Sequence, residues 1–246
     1  MIKSVAVLCV MAAVVLSGGC STDNKKQSPI SVVVVTGGHG YEKQPFVRMF
    51  EEMKSLHCHQ VELKDDSELF EDISNWNYDV IVFYNMTQTI SPKRRENFLT
   101  LLDRGVGVVA LHHSLVSFQD WPEYKKIIGA KYYEKQMQED GIVHPASTYQ
   151  HDVQMTVGIA DKMHPVTVGV ENFTILDETY KGYSVESDNH ILLTTDEPTS
   201  QKEIAWVRHY RQARICGIQL GHGPDAYHHP AYRRLLYQAI QWTAGQ

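Results

Sequence analysis

Short, continuous apolar runs recur along the chain, and each stops abruptly at glycine or histidine. Val32-Val33-Val34-Val35 leads into Thr36-Gly37-Gly38-His39-Gly40-Tyr41. The run after Gly105 stops at His112 and His113, and Ile215 to Leu220 runs into Gly221-His222-Gly223-Pro224-Asp225. A run without polar alternation suits a strand covered on both faces by helices, and ligands bind outside the carboxyl ends of such strands. Tyr78 to Tyr84 is a further run of this kind. Between the runs, helical spacing covers Gln44 to Leu56. Ser91 N-caps a helix that has Pro92 at its first position and runs to Asp103, Trp121 to Ile128 forms a short helix, and Pro230 to Thr243 is amphipathic. Val61 to Leu63 begins a strand, and Asp152 to Val157, Phe173 to Leu176, Ile191 to Thr195 and Ile204 to His209 read as strands separated by turn formers. The polar, aromatic stretch from Lys131 to Gln150 has no clear period and is expected to be an active-site loop or lid. The βαβ rhythm predicts one α/β domain.

Lys3 followed by the apolar stretch Val5 to Leu16 reads as a secretory signal, too short to span a bilayer stably. It closes with Leu16-Ser17-Gly18-Gly19-Cys20, similar to the cleavage and lipidation site of bacterial lipoproteins, although Ser17 stands where the bulky aliphatic residue is usual. The expected organisation is a signal over residues 1–20, lipidation at Cys20, a polar tether over 21–29 and the α/β domain over 30–246. The protein is then an exported lipoprotein, periplasmic or attached to the outer membrane through lipid only. Of the four cysteines, Cys58 and Cys216 remain in the domain, where an oxidising compartment would let them pair, although Cys216 also suits a buried core position. A net charge of -6 and a pI near 6.1 exclude a basic surface for nucleic acid.

The chain carries 13 histidines, and His39, His112, His113 and His222 fall at predicted strand ends. His57 and His59 read as a solvated turn, and His164, before proline, as structural. Gly37-Gly38-His39-Gly40-Tyr41, Ala110-Leu111-His112-His113-Ser114, His144-Pro145, the His164 to Gly169 segment, Asp177-Glu178-Thr179-Tyr180 and Gly217 to His222 occur in the order and spacing of a known family. Nearly the whole domain resembles the ThuA-like, trehalose-utilisation proteins. The resemblance implies a flavodoxin-like, class I glutamine amidotransferase-like three-layer α/β sandwich with a mainly parallel central sheet. The amidotransferase nucleophile, a cysteine on the tight turn after the central strand, is replaced here by His112. A histidine there can bind a metal, shuttle a proton or hydrogen-bond a hydroxyl.

Two uses of such a site are expected. In one, some of His39, His112, His113 and His222, foremost His39, His112 and His222, hold a divalent metal (zinc, nickel, iron or manganese), with Asp177 or Glu178 as ligand or base. In the other, the histidines, Tyr41, Tyr180 and the acids hydrogen-bond a polyhydroxylated ligand while Trp121 or Tyr149 stacks on a sugar face, His144 contributing to the same surface. His112, His113, Glu178 and His222 are the expected catalytic residues, and Asp177 is alternatively a turn cap. The resemblance implies glycosides or 3-keto-glycosides as substrates, a sugar dehydrogenase as a partner in the same pathway, and no nucleotide cofactor. The rival readings are a non-catalytic sugar-binding lipoprotein and a metal-dependent hydrolase of another ester or amide.

Overall fold

The computed structural model describes residue 1 and residues 28–246 except 65, 87, 88 and 140; the signal and Cys20 lie outside the described residues. The strands are β1 (Ile30–Thr36), β2 (Leu56–Glu62), β3 (Val80–Phe83), β4 (Gly107–Leu111), β5 (Ala130–Lys131), β6 (Met137–Glu139), β7 (Ile142–His144), β8 (Thr148–Ile159), β9 (Phe173–Lys181), β10 (Ser184–Val185), β11 (His190–Thr194), β12 (Glu203–Tyr210) and β13 (Ala213–Ile218). The helices are α1 (Lys43–Glu51), α2 (Pro92–Asp103), α3 (Pro122–Ile128), α4 (Pro224–His228) and α5 (Pro230–Thr243).

Nine strands form one sheet in the order β2-β1-β3-β4-β13-β12-β11-β8-β9. The first five are parallel and the remainder pair antiparallel. The expected three-layer α/β sandwich is the fold, with the parallel arrangement confined to one half. The valines of β1 explain why that half needs no polar alternation. Val32 and Val34 enter one core with Phe46 of α1 and Leu235 and Ile240 of α5, while Val33 and Val35 enter the opposite core with Phe98 and Leu101 of α2 and Ile127 of α3. Each of these four valines is buried because both faces are covered. In β8, by contrast, Val153, Met155 and Val157 are buried and their neighbours exposed, the alternation of a sheet with one wet face.

Several boundaries differ from expectation. The first helix stops at Glu51, and β2 begins at Leu56, so His57 and His59 lie on an edge strand and not in a turn. The stretch from Lys131 to Gln150 is not a loop throughout, because β6 and β7 pair as a small antiparallel ribbon. Both cysteines are free, Cys58 on β2 and Cys216 on β13, with β1, β3 and β4 between them. At the carboxyl ends of the parallel strands lie His39, His112 and His222.

Candidate active site

The site begins where β4 stops. His112 follows Leu111 with φ of 36°, a left-handed conformation that costs a side-chain-bearing residue about 1–2 kcal/mol. The chain turns there into a single 3-10 helix, His112–Val116, that buries both histidines. A strained turn of this kind lifts one side chain off the sheet end, as the nucleophile elbow of hydrolases does.

The His112 ring is fixed on two sides. Its face stacks on Tyr180, with ring centroids 4.5 Å apart, and its Nδ1 lies 2.5 Å from the main-chain oxygen of Gln219. A carbonyl oxygen only accepts, so Nδ1 donates to it and Nε2 faces the carboxylate of Glu178. That Nε2 lies 2.8 Å from Glu178 Oε2 and 3.3 Å from His222 Nδ1, and His222 Nδ1 is 3.0 Å from the same carboxylate oxygen. Three polar atoms therefore converge on one point, a set that shared protons or a metal ion would satisfy.

The surrounding residues hold this geometry. Asp177, buried on β9, accepts hydrogen bonds from the backbone N–H groups of Gly221 (2.7 Å), His222 (2.9 Å) and Glu178 (2.9 Å). It is the turn cap, and burial raises its pKa against those bonds. On the carbonyl side of the same turn, the Tyr84 hydroxyl reaches Gly221 O at 2.9 Å and His222 O at 3.0 Å, and the Tyr227 hydroxyl donates to His222 O at 2.9 Å. Gly221, at φ of 113°, has no room for a side chain because a Cβ would lie 2.2 Å from the Tyr232 hydroxyl. Gln219 ties the two halves of the sheet together, its main-chain oxygen facing His112 and its Nε2 donating to the main-chain oxygen of Glu178 at 2.9 Å.

Charge follows from these contacts. Burial pushes the Glu178 carboxyl up, but hydrogen bonds from His112 and His222 outweigh it and hold the group well below the usual carboxylate range. The hydrogen bond to Glu178 raises His222 against the effect of burial. His113 is pushed far down by burial, reinforced by the neighbouring His112, His39 and His222 rings, and is a neutral imidazole. Neither of its ring nitrogens has a hydrogen-bond partner among the described residues. Such a group costs about 1–3 kcal/mol to leave unsatisfied. One donor atom from each of His112, His113, Glu178 and His222 lies within 4.8 Å of the others.

A cavity of about 280 Å³ opens over this cluster, walled by His39, Met86, Tyr132, Tyr149, His151 and Tyr180 among others. His39 packs on His113 at 4.0 Å between ring centroids but stands outside the four-donor cluster, which the other expected donors His112, His113, His222 and Glu178 make up. Three other expected residues are elsewhere. The Tyr41 hydroxyl accepts from Gln60 Nε2 at 2.6 Å, and its ring packs on Phe46 and Tyr84. Trp121 is 7% exposed in the core beside α2 and α3, lies under the Arg95 guanidinium and borders a second cavity that meets the first only at Glu134. His144 stacks on Tyr133, centroids 4.5 Å apart, on the β6–β7 ribbon. The sequence reading missed His151, whose Nδ1 lies 3.0 Å from Glu178 Oε1. No sequence signal marks it: the adjacent Asp152 takes φ of 55° in a β-bulge between Gln150 and Val153 that turns the histidine onto the site.

The architecture is a three-layer α/β sandwich in which a histidine and carboxylate cluster gathers at the turn after β4. The sequence profile of the ThuA family, described as trehalose utilisation, matches residues 31–243, and the chain belongs to that family. A ThuA-like protein from Parabacteroides merdae ATCC 43184 superposes with a TM-score of 0.75 at 22% identity, over 88% of this chain and 90% of that one. A ThuA-like protein from Bacteroides uniformis ATCC 8492 gives 0.65 at 17% identity, over 92% and 95%. PurLQS from Thermotoga maritima gives 0.52 at 11% identity, over 87% and 99%. These likenesses establish the shared fold. No curated protein matches the sequence.

Proposed function

We propose that the protein is an exported, lipid-anchored enzyme of carbohydrate catabolism that cleaves glycosides as their 3-keto forms, which a sugar dehydrogenase would supply. The family supports the sugar class. The observation that carries the chemistry is the meeting of His112 Nε2, His222 Nδ1 and Glu178 Oε2 at 2.8 to 3.3 Å beside the unpartnered His113.

Two imidazoles and a carboxylate suit zinc, nickel, iron or manganese, and His113 offers a further donor. The Nδ1–H of His112 held by a main-chain carbonyl is the partner that a metal-bound histidine usually has. Such an ion would supply Lewis-acid polarisation of a sugar oxygen. The protein's own part is proton transfer and positioning. A ketone at C3 acidifies the C2 proton, which the His151–Glu178 pair removes. Glu178 Oε1 fixes His151 Nδ1, leaving the other nitrogen of this half-exposed ring for the substrate. The C1–O bond breaks, the alcohol leaves with a proton, and a C1–C2 double bond conjugated to the ketone remains. Water then adds at C1 and the proton returns to C2, giving net hydrolysis without the paired carboxylates of an ordinary glycosidase.

The test is metal analysis of the domain from residue 28 onward, for wild type, His112→Ala and His222→Ala, followed by incubation of the same samples with a 3-keto-glycoside. Near-stoichiometric metal and turnover in the wild type, both lost in the variants, is the expected result. Protein that is metal-free and binds the sugar without changing it would instead be a sugar-binding lipoprotein.

A further inference from the structure

The wall that carries Glu178 and His151 has a second hollow behind it. This cavity, about 290 Å³, shares those two residues with the aromatic cavity and is completed by His222, Leu176 and Pro224 and by the acids Glu42, Asp152 and Asp225. Each hollow lies near the lower limit of small-ligand pockets, about 300 Å³, so each has room for one sugar ring and not two. The reacting residues thus stand between two ring-sized spaces.

We infer, resting on the glycoside chemistry proposed above, that the acid-rimmed cavity is the leaving-group subsite, and that its ligand is an uncharged, hydroxyl-rich ring. The oxidised ring lies in the aromatic cavity, where Tyr132, Tyr149 and Tyr180 supply ring faces. The bond to be broken crosses above Glu178 and His151. On the far side Leu176 and Pro224 offer apolar contact to the C–H face of a sugar. Ionised carboxylates accept hydrogen bonds and donate none, so Glu42, Asp152 and Asp225 suit sugar hydroxyls. Among the described residues no lysine or arginine lines this hollow, and a phosphate or carboxylate on the departing ring would face like charge.

The experiment compares kcat/KM of the wild-type domain on 3-keto-trehalose, on its derivative phosphorylated on the unoxidised ring, and on methyl 3-keto-glucoside. A filled second subsite should favour the neutral two-ring substrate over the methyl glycoside by about tenfold or more, appearing in KM as well as kcat. The phosphorylated substrate should fall at least about tenfold below the neutral one, and the Glu42→Gln/Asp225→Asn double variant should restore most of the kcat/KM lost on it. Equal handling of the methyl and two-ring substrates, or full acceptance of the phosphate by the wild type, would overturn the inference. A wild type that turns over none of the three, while still folded by circular dichroism, defeats the glycoside reading and the subsite with it.

Discussion

His112 and His113 are adjacent in sequence and opposite in circumstance. One has both nitrogens engaged, and the other has neither engaged among the described residues. An orphaned, neutral imidazole in a buried site is a cost that folding alone does not explain. Replacing it with an apolar side chain removes the unsatisfied groups, so His113→Leu should raise stability by about 1–2 kcal/mol. For a domain of this size that is a rise in Tm of about 2–8 °C, readable by calorimetry, with turnover lost in the same variant. A fall in Tm would show that the ring is satisfied in solution. Asp177 behaves in the opposite way, because three backbone N–H groups depend on it. Asp177→Asn keeps the shape but turns a donor amide toward those donors. It should cost about 2–3 kcal/mol in urea titration and weaken turnover through His222. The histidines at strand ends were legible in the sequence because an apolar run ending at a polar residue marks a crevice. Tyr41, Trp121 and His144 were misplaced because an aromatic or imidazole side chain at a loop start fits a core or a ribbon as readily as a pocket, and only packing decides.

The element that decides how the site closes is β8. Its pairing with β9 slips between Gln150 and Val153, and Asp152 takes up the slip at φ of 55°. Aspartate tolerates that conformation better than a branched residue, and glycine best of all. Asp152→Gly should therefore keep stability within about 0.5 kcal/mol, whereas Asp152→Val should lose about 1–2 kcal/mol and draw His151 off Glu178. The measurement is chemical denaturation of both variants together with kcat. Equal behaviour of the two would mean that the bulge does not position His151. Bulges leave no periodic trace, which is why His151 escaped the sequence reading. The same reasoning accounts for the β6–β7 ribbon, whose exposed Ile142 and Val143 bury no face and so produce no alternation. The inner parallel strands β1, β3, β4 and β13 were read correctly because burial on both faces leaves a mark that no turn or ribbon leaves, as Val32 to Val35 show by feeding two cores, whereas the half-exposed edge strand β2 was misread as helix and turn.

At the scale of the molecule, the sheet fixes what lies far apart. Cys58 and Cys216 stand on strands four spacings apart, about 19 Å at the usual strand separation, beyond the roughly 7 Å that a disulfide spans. Two free thiols are therefore expected by mass after alkylation of the unfolded domain, with Cys216 unreactive until unfolding because it is fully buried. The same sheet sets the site against the anchor. Ile30, where the domain begins, is the amino end of β1, whereas His39, His112 and His222 lie past the carboxyl ends of β1, β4 and β13. A seven-residue strand separates these edges by about 20 Å. Among the described residues no helix is long and apolar enough to cross a membrane. On the proposed reading the attachment is lipid on Cys20. A lipid there would hold the domain by the edge opposite the cavity and leave the mouth of the site facing away from the bilayer. Cys20→Ala should then move the protein from the membrane fraction to the soluble one. The kcat/KM of anchored and released forms on a soluble sugar should agree within about twofold, since nothing at the site approaches the bilayer and a small substrate diffuses freely to either form. A large loss on anchoring would mean that the domain lies with its catalytic edge against the membrane. Retention of Cys20→Ala in the membrane fraction would remove lipid from the account of how the protein is held.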